Sequence, residues 1–520
     1  MTIKRSVLIL LTAVAILFSG SSLLDSLTEP QFQSRLELYQ TNLLLEATEW
    51  EPTDSQDQTF KTAQEAILGG TPLKAATEQY QQVRDSAEKN LAKANKQLAQ
   101  LRSQPIPTSS VPTSASETTT TPEKLLRKSV QQIETSIAEL DLRLGILQAL
   151  QANIDAAKAN WQKVAQNSAI SPGYSDTAQV LLQIWSNSSQ IAPDAPQIIK
   201  KNLSGWFSYQ ALKQLYQLQQ QPEALATLKT SQQATAEQAL VKLAAIATIP
   251  MLGGLIGVGL LLLLLGQRLI KGKESLLSQN AELAWNTPWD GETVLQVFIY
   301  GFFLMGQFFV PIVLKSLLPI NRAAGDLRLQ AVYVLISYLT VAVASLLVLY
   351  FSIKSFLPLS DDWFKFKLLD NWLVWGLGGY LTALPLVVVV SLVNQQIWQG
   401  QGGSNPLLQL ALEAQDEVAL GIFFFTAAIA APIFEEILFR GFLLPSLTRY
   451  IPVWGAIGLS SLIFAAAHLS LSEVLPLTTL GIVLGVVYTR SRNLFASILL
   501  HSLWNSGTLL SLFVLGSGSS

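Results

Sequence analysis

The chain has 520 residues, half of them apolar and only 13% charged, with a mean hydropathy of +0.35. Soluble domains average roughly 25% charged residues, so the shortfall requires long stretches that never meet water. A formal net charge of −2 leaves no large basic face to neutralise phosphates and excludes nucleic acid as a partner; the absence of cysteine excludes disulfides and thiolate metal sites.

Residues 6–24 form an apolar run behind Lys4 and Arg5, the pattern of a signal peptide or a signal anchor. No clear A-x-A cleavage site follows, so an uncleaved anchor over 1–24 is the preferred reading. Residues 25–240 are polar, rich in Ala, Gln and Leu, with apolar positions recurring every three or four residues, which predicts a soluble helical domain. Within it, residues 104–123 are mostly Pro, Ser and Thr and read as a disordered loop. The flanking stretches, 73–103 and 122–168, read as two long helices of a hairpin. Leu144, Leu147 and Leu150 recur 68 residues later as Leu212, Leu215 and Leu218, with Ala178, Leu181 and Ile184 midway. A period of 34 is that of tetratricopeptide repeats. The stretch therefore reads either as a short TPR-like array that binds a protein partner or as a helical bundle whose Leu spacing coincides.

Beyond residue 240 the character changes. Apolar segments at about 241–266, 293–318, 328–352, 371–394, 418–444, 453–469, 474–489 and 494–515 mostly reach the length of about 20 residues that spans a bilayer. The fold class is thus all-α. A polytopic transmembrane helix bundle of about eight C-terminal spans follows an anchor helix and a soluble helical domain. Residues 241–289 form the first of these spans and its connecting loop. With the N-terminus in the cytoplasm, eleven Lys and Arg residues lie at cytoplasmic ends (Lys4, Arg5, Arg268, Lys271, Lys273, Lys354, Lys365, Lys367, Arg449, Arg490 and Arg492) against three on the other side (Lys315, Arg322 and Arg328). This places the helical domain on the extracytoplasmic side of an inner or equivalent internal membrane.

An ionisable residue inside a membrane is costly enough to be a functional candidate by default. Residues 431–445 read APIFEEILFRGFLLP, residues 464–468 FAAAH and residues 501–505 HSLWN; no other membrane segment carries comparable groups. Glu436 and Arg440 are four apart and share a helix face as an ion pair. Taken alone, that pair is readable as a charge pair snorkelling at a helix end. Glu435 is turned about 100° away and must find its partner on another helix. His501 and Asn505 again share one face, as do Phe464 and His468. A carboxylate and a histidine converging in a low-dielectric cavity make a general base for water, and a second histidine with an amide can hold a developing oxyanion. Neither a G-x-S-x-G elbow nor an H-E-x-x-H motif is present.

E-E-x-x-x-R, F-x-x-x-H and H-x-x-x-N in this order resemble the motif set of the CAAX-processing and bacteriocin-processing (CPBP, or ABI) family of intramembrane proteases, which includes type II CAAX prenyl endopeptidases. The resemblance covers about residues 290–515. It implies an endopeptidase acting on membrane proteins or lipidated, CAAX-like peptides. In it Glu435 and His468 activate the water, His501 and Asn505 form the oxyanion site, and Glu436, Arg440 and Phe464 support them. The family has been described both as metalloproteases and as glutamate-dependent proteases. Glu435, His468 and His501 have the composition of a His₂–carboxylate zinc site, but Glu435 would then have to be ligand or base, and the base is preferred. The competing function is a non-proteolytic scaffold of the same fold that binds partners through its helical domain. A transporter is disfavoured by the absence of an inverted repeat.

Counting along the spans places Glu435 near the cytoplasmic face and His468 toward the outer end of its own span. Convergence of these groups therefore requires a broken or displaced helix, with Pro432 as the candidate break.

Overall fold

The computed structural model describes residues 2–27, 32–51, 68–103, 122–167, 170–188, 191–317, 326–398, 401–404 and 416–516. Among these, every regular element is a helix, and eight helices are long and apolar enough to cross a membrane. The chain divides into two compact units, one of residues 34–245 and one of residues 1–33 and 246–517.

The first unit contains α2 (Phe32–Ala47), α3 (Pro72–Ser103), α4 (Pro122–Leu150), α5 (Ile154–Gln166), α6 (Pro172–Trp185), α7 (Ala195–Asn202), α8 (Gly205–Leu218) and the N-terminal half of α9 (Pro222–Lys271). The expected loop 104–123 lies outside the described residues except for Pro122 and Glu123, which open α4. The predicted second hairpin helix is two helices. The chain breaks after Leu150, where Ala152 takes a left-handed φ of 62°, and α5 packs back on α4. Most residues in the 34-residue register are buried, Leu144 and Leu147 on α4, Ala178 and Leu181 on α6, and Leu212 and Leu215 on α8, whereas Leu150 is exposed. These three helices all touch one another around one apolar core. Removing each of these buried leucines from water stabilises the unit by roughly 1.5–3 kcal/mol. The unit also buries charge: Arg84 on α3 pairs with Asp141 on α4, and Gln232 on α9 donates to Glu46 on α2.

The second unit holds α1 (Ile3–Ser26), the remainder of α9, α10 (Gly291–Leu317), α11 (Leu327–Ile353), α12 (Trp372–Trp398), α13 (Glu417–Leu447), α14 (Val453–Ala466), α15 (Leu471–Ser491) and α16 (Leu494–Gly516). The first C-terminal span is the second half of the 50-residue α9 and not a helix beginning at 241. Nothing between Pro222 and the apolar run breaks the helix, because the intervening residues are strong helix formers such as Ala, Leu, Gln and Lys. The segment expected at 474–489 extends to 21 residues and is long enough to cross. By contrast, α14 has only 14 residues, about 21 Å of rise, so seven C-terminal helices meet the length for a span and α14 does not. It packs along α15.

Lipid tails are as apolar as leucine, so helices associate in a membrane by close packing at small residues. Gly481 of α15 faces Ser461 of α14, and a Cβ there would lie 2.8 Å from the Ser461 Cβ. Gly379 of α12 sits against Leu500 and Val487, where a Cβ would come within 2.6 Å of each. Gly301 of α10 lies against α11, and its carbonyl accepts a hydrogen bond from Ser345 Oγ at 2.9 Å. The helix α1 packs on α10 through Leu8, Ala15, Ile299 and Phe303.

Candidate active site

Two features of α13 position the glutamates. The helix does not break at Pro432, contrary to the expectation from span counting; it continues from Glu417 to Leu447 with two wide π-helical stretches, Thr426–Ala430 and Ile437–Leu443. Proline lacks an N–H and its ring clashes with the carbonyl four residues back. The wider turn just before Pro432 accommodates both defects, and such turns recur at functional sites. Convergence is reached instead through the shortness of α14. His468 stands two residues beyond its end, inside the unit and not at the far side of a full span.

The F-x-x-x-H spacing has a local cause. At the end of α14 the backbone N–H of His468 bonds to Ala465 O, three residues back, which frees Phe464 O. The His468 Nδ1 takes that carbonyl at 2.9 Å. A carbonyl only accepts, so Nδ1 carries the proton and the neutral ring keeps a basic lone pair on Nε2. The chain then leaves through Leu469 at φ 57°, a left-handed conformation that costs a branched side chain roughly 1–2 kcal/mol. Phe464 is 1% exposed, and its ring meets three partners edge-on: Phe439 at 5.3 Å, His468 at 5.0 Å and His501 at 5.7 Å. The Arg440 guanidinium lies 4.5 Å from the same ring centre.

Glu436 and Arg440 form the predicted pair at 2.7 Å, both almost fully buried. Arg440 also donates to Gly481 O at 3.2 Å, which the close approach of α14 and α15 leaves within reach. The same Glu436 Oε1 accepts from His501 Nδ1 at 2.9 Å. Glu436 is therefore more than a local helix support: it orients the imidazole of α16. Glu435 finds its partner on another helix, as its position required. Tyr338 on α11 donates to Glu435 Oε1 at 3.0 Å, while Oε2 lies 3.9 Å from His501 Nε2. Asn505, one turn beyond His501, donates to Ala427 O at 2.7 Å, a carbonyl within the first wide stretch of α13.

Glu435, His468, His501 and Asn505 all line one cavity of about 470 Å³, with Phe464, Phe434 and Phe439 among its apolar walls. Sequence reasoning missed the polar wall residues Tyr338, Thr426, Glu473 and Thr508. Tyr338 resembled any interfacial tyrosine. Thr426 was unremarked in the apolar run of α13. Glu473 lies one residue outside the assigned span, but α15 begins at Leu471 and brings it into the wall, so Glu435 is not the only carboxylate there. Among the described residues lining the cavity there is no lysine or arginine. Among the described residues, no group of three His, Asp or Glu side chains stands in the arrangement that would hold a metal ion. His501 Nδ1 is held by Glu436 and His468 Nδ1 by a carbonyl, which leaves the Nε2 atom of each ring for a further partner.

Residues 417–507 match the family of type II CAAX prenyl endopeptidase Rce1-like proteins. The chain is 26% identical over 220 residues to the "Membrane-embedded CAAX protease MroQ" of Staphylococcus aureus (strain USA300), covering 41% of this chain and 85% of that protein. It is also 26% identical over 215 residues to the "Putative membrane peptidase YdiL" of Bacillus subtilis (strain 168), covering 40% of this chain and 85% of that one. No solved structure matches the chain significantly. This integral membrane protein is therefore similar, over residues 417–507 of its C-terminal part, to Rce1-like proteins.

Proposed function

We propose that the C-terminal domain is an intramembrane endopeptidase that hydrolyses peptide bonds of membrane-associated proteins, CAAX-like or other, with activated water. The observation that carries this reading is the convergence of Glu435, His468, His501 and Asn505, drawn from three segments, on one cavity. The Glu435 carboxylate and the lone pair of His468 Nε2 are two proton acceptors in that wall, and either can take the proton as water attacks a carbonyl carbon. The tetrahedral oxyanion faces His501 Nε2 and the second N–H of Asn505, the first being engaged by Ala427 O. With His501 doubly protonated, Glu435, Glu436, Arg440 and His501 sum to zero formal charge, so the buried group can donate without an uncompensated ion. The proton then passes to the departing amine.

The chain lies in an inner or equivalent internal membrane with residues 34–245 on the extracytoplasmic side, where they recruit or exclude substrates by binding protein. Because the chain has no cysteine, a single Gln97→Cys label reads that side directly. A membrane-impermeant thiol reagent added to intact cells labels it if the assignment holds.

The test of the activity is cleavage of a pooled peptide library, with and without a prenyl group, by wild type, Glu435→Ala and His468→Ala in proteoliposomes. Cleavage by wild type that both variants lose while remaining folded supports the reading. Equal cleavage by all three overturns the site. Cleavage that a chelator abolishes and added zinc restores overturns the metal-free mechanism.

A further inference from the structure

Glu435 is the only member of the proposed base pair held by a side chain from outside the family-matched stretch. Its neighbour Tyr338 sits on α11, well before residue 417. The phenol donates to Glu435 Oε1 at 3.0 Å, and its ring meets Phe434 edge-on at 6.0 Å. Three features fix where that hydroxyl stands. The ring is fixed by Phe434, the residue next to its target. Tyr338, Ala342, Ser345 and Leu349 follow one face of α11 at spacings of four, three and four. On that face Ala342, Ser345 and Leu349 are buried, and Ser345 locks α11 to α10 through Gly301 O, a contact that tolerates only a small residue.

A carboxylate in a mostly apolar wall can rotate and present either oxygen. Here Oε1 is occupied by the phenol, and Oε2 is the oxygen left on the side of His501 Nε2, 3.9 Å away. We propose that Tyr338 is the positioning residue of this site: by engaging Oε1 it aims Oε2 of Glu435 at the attacking water and completes a catalytic unit that needs α11 as well as the three motif segments. It acts through Glu435 and touches no reacting atom.

This inference rests on the peptidase reading, and the experiment separates the two. Wild type, Tyr338→Phe, Glu435→Gln and the double variant are compared as full-length chains in proteoliposomes, on whichever library peptide the wild type cleaves. Phenylalanine keeps the ring against Phe434 and removes only the hydroxyl. The expected result is a fall in kcat of about 10- to 100-fold, the range for losing a hydrogen bond to a charged group, with KM within about twofold. On the Glu435→Gln background the same change should have no further effect, since the group it aims is already gone. A fold defect would instead lower the melting temperature of Tyr338→Phe and add to the loss in the double variant, and that additivity would overturn the proposal. Unchanged kcat in Tyr338→Phe, with Glu435→Gln inactive, also overturns it while leaving the peptidase reading intact. Full activity of Glu435→Gln overturns the proposal together with the role of Glu435, and no cleavage of any library peptide by the wild type overturns the peptidase reading itself.

Discussion

Glu436 Oε1 and His501 Nδ1 stand 2.9 Å apart although 65 residues separate them in the chain. The same oxygen also takes the Arg440 guanidinium. One carboxylate therefore does two things: it neutralises a buried cation on its own helix and sets the tautomer and angle of an imidazole on another.

Glu436→Gln removes the charge that Arg440 needs, and leaving a buried ion unpaired costs about 3–5 kcal/mol. The variant is expected to express poorly and to unfold at lower temperature in detergent. Glu436→Gln with Arg440→Met removes both charges and should recover much of that stability. It should stay at least about 100-fold less active, because nothing then orients His501 with a full charge. Recovery of activity along with stability would show that the pair matters only for folding.

His468 is held by Nδ1 and is proposed to act through Nε2. Asparagine places an N–H near the Nδ1 position and offers nothing at Nε2. His468→Asn should therefore keep the end of α14 and its thermal stability while losing about 10²- to 10⁴-fold in kcat, the range for a general base. An active His468→Asn enzyme would leave Glu435 as the sole base.

Glu473 gives the cavity wall a second carboxylate beside Glu435. Wild type should prefer neutral or basic residues beside the scissile bond over acidic ones. Glu473→Lys should shift that preference toward acidic residues by on the order of 10-fold, as expected for charges several ångströms apart at an effective dielectric near 20. The readout is the ratio of kcat/KM for matched basic and acidic peptides. An unchanged ratio would place Glu473 outside the path of the substrate.

In the helical unit, burial holds the Glu46 carboxyl above its ordinary value of 4.5, with the hydrogen bond from Gln232 opposing the shift. The folded value is raised, so the stability this group contributes is present below 4.5 and is lost as pH rises through the folded value. Glu46→Gln mimics the neutral form. It should raise hydrogen-exchange protection of Phe32–Ala47 at pH 8, and the difference should vanish below pH 4.5. Greater protection at low pH than at high pH in the variant would reverse the assignment.

Much of this architecture is written in local patterns. Apolar length marked the membrane helices, because a span is set by bilayer thickness and a 1.5 Å rise. The four-residue spacings of Glu436–Arg440, Phe464–His468 and His501–Asn505 are a helical turn or its end, so each pair could be read from the residues alone. Helix composition did not reveal that α9 runs continuously from one unit into the other, since nothing in an Ala-rich polar stretch announces where water ends. The segment at 453–469 is short already in the sequence, but the exact end of α14 that leaves His468 inside is not legible there, because it depends on where a backbone ladder shifts from four to three residues. The partners of Glu435 and Glu436 belong to the tertiary structure alone. Tyr338 and His501 reach them from helices 97 and 65 residues away, and only the packing of α11 and α16 against α13, at contacts set by small side chains, decides which of many buried polar groups meet.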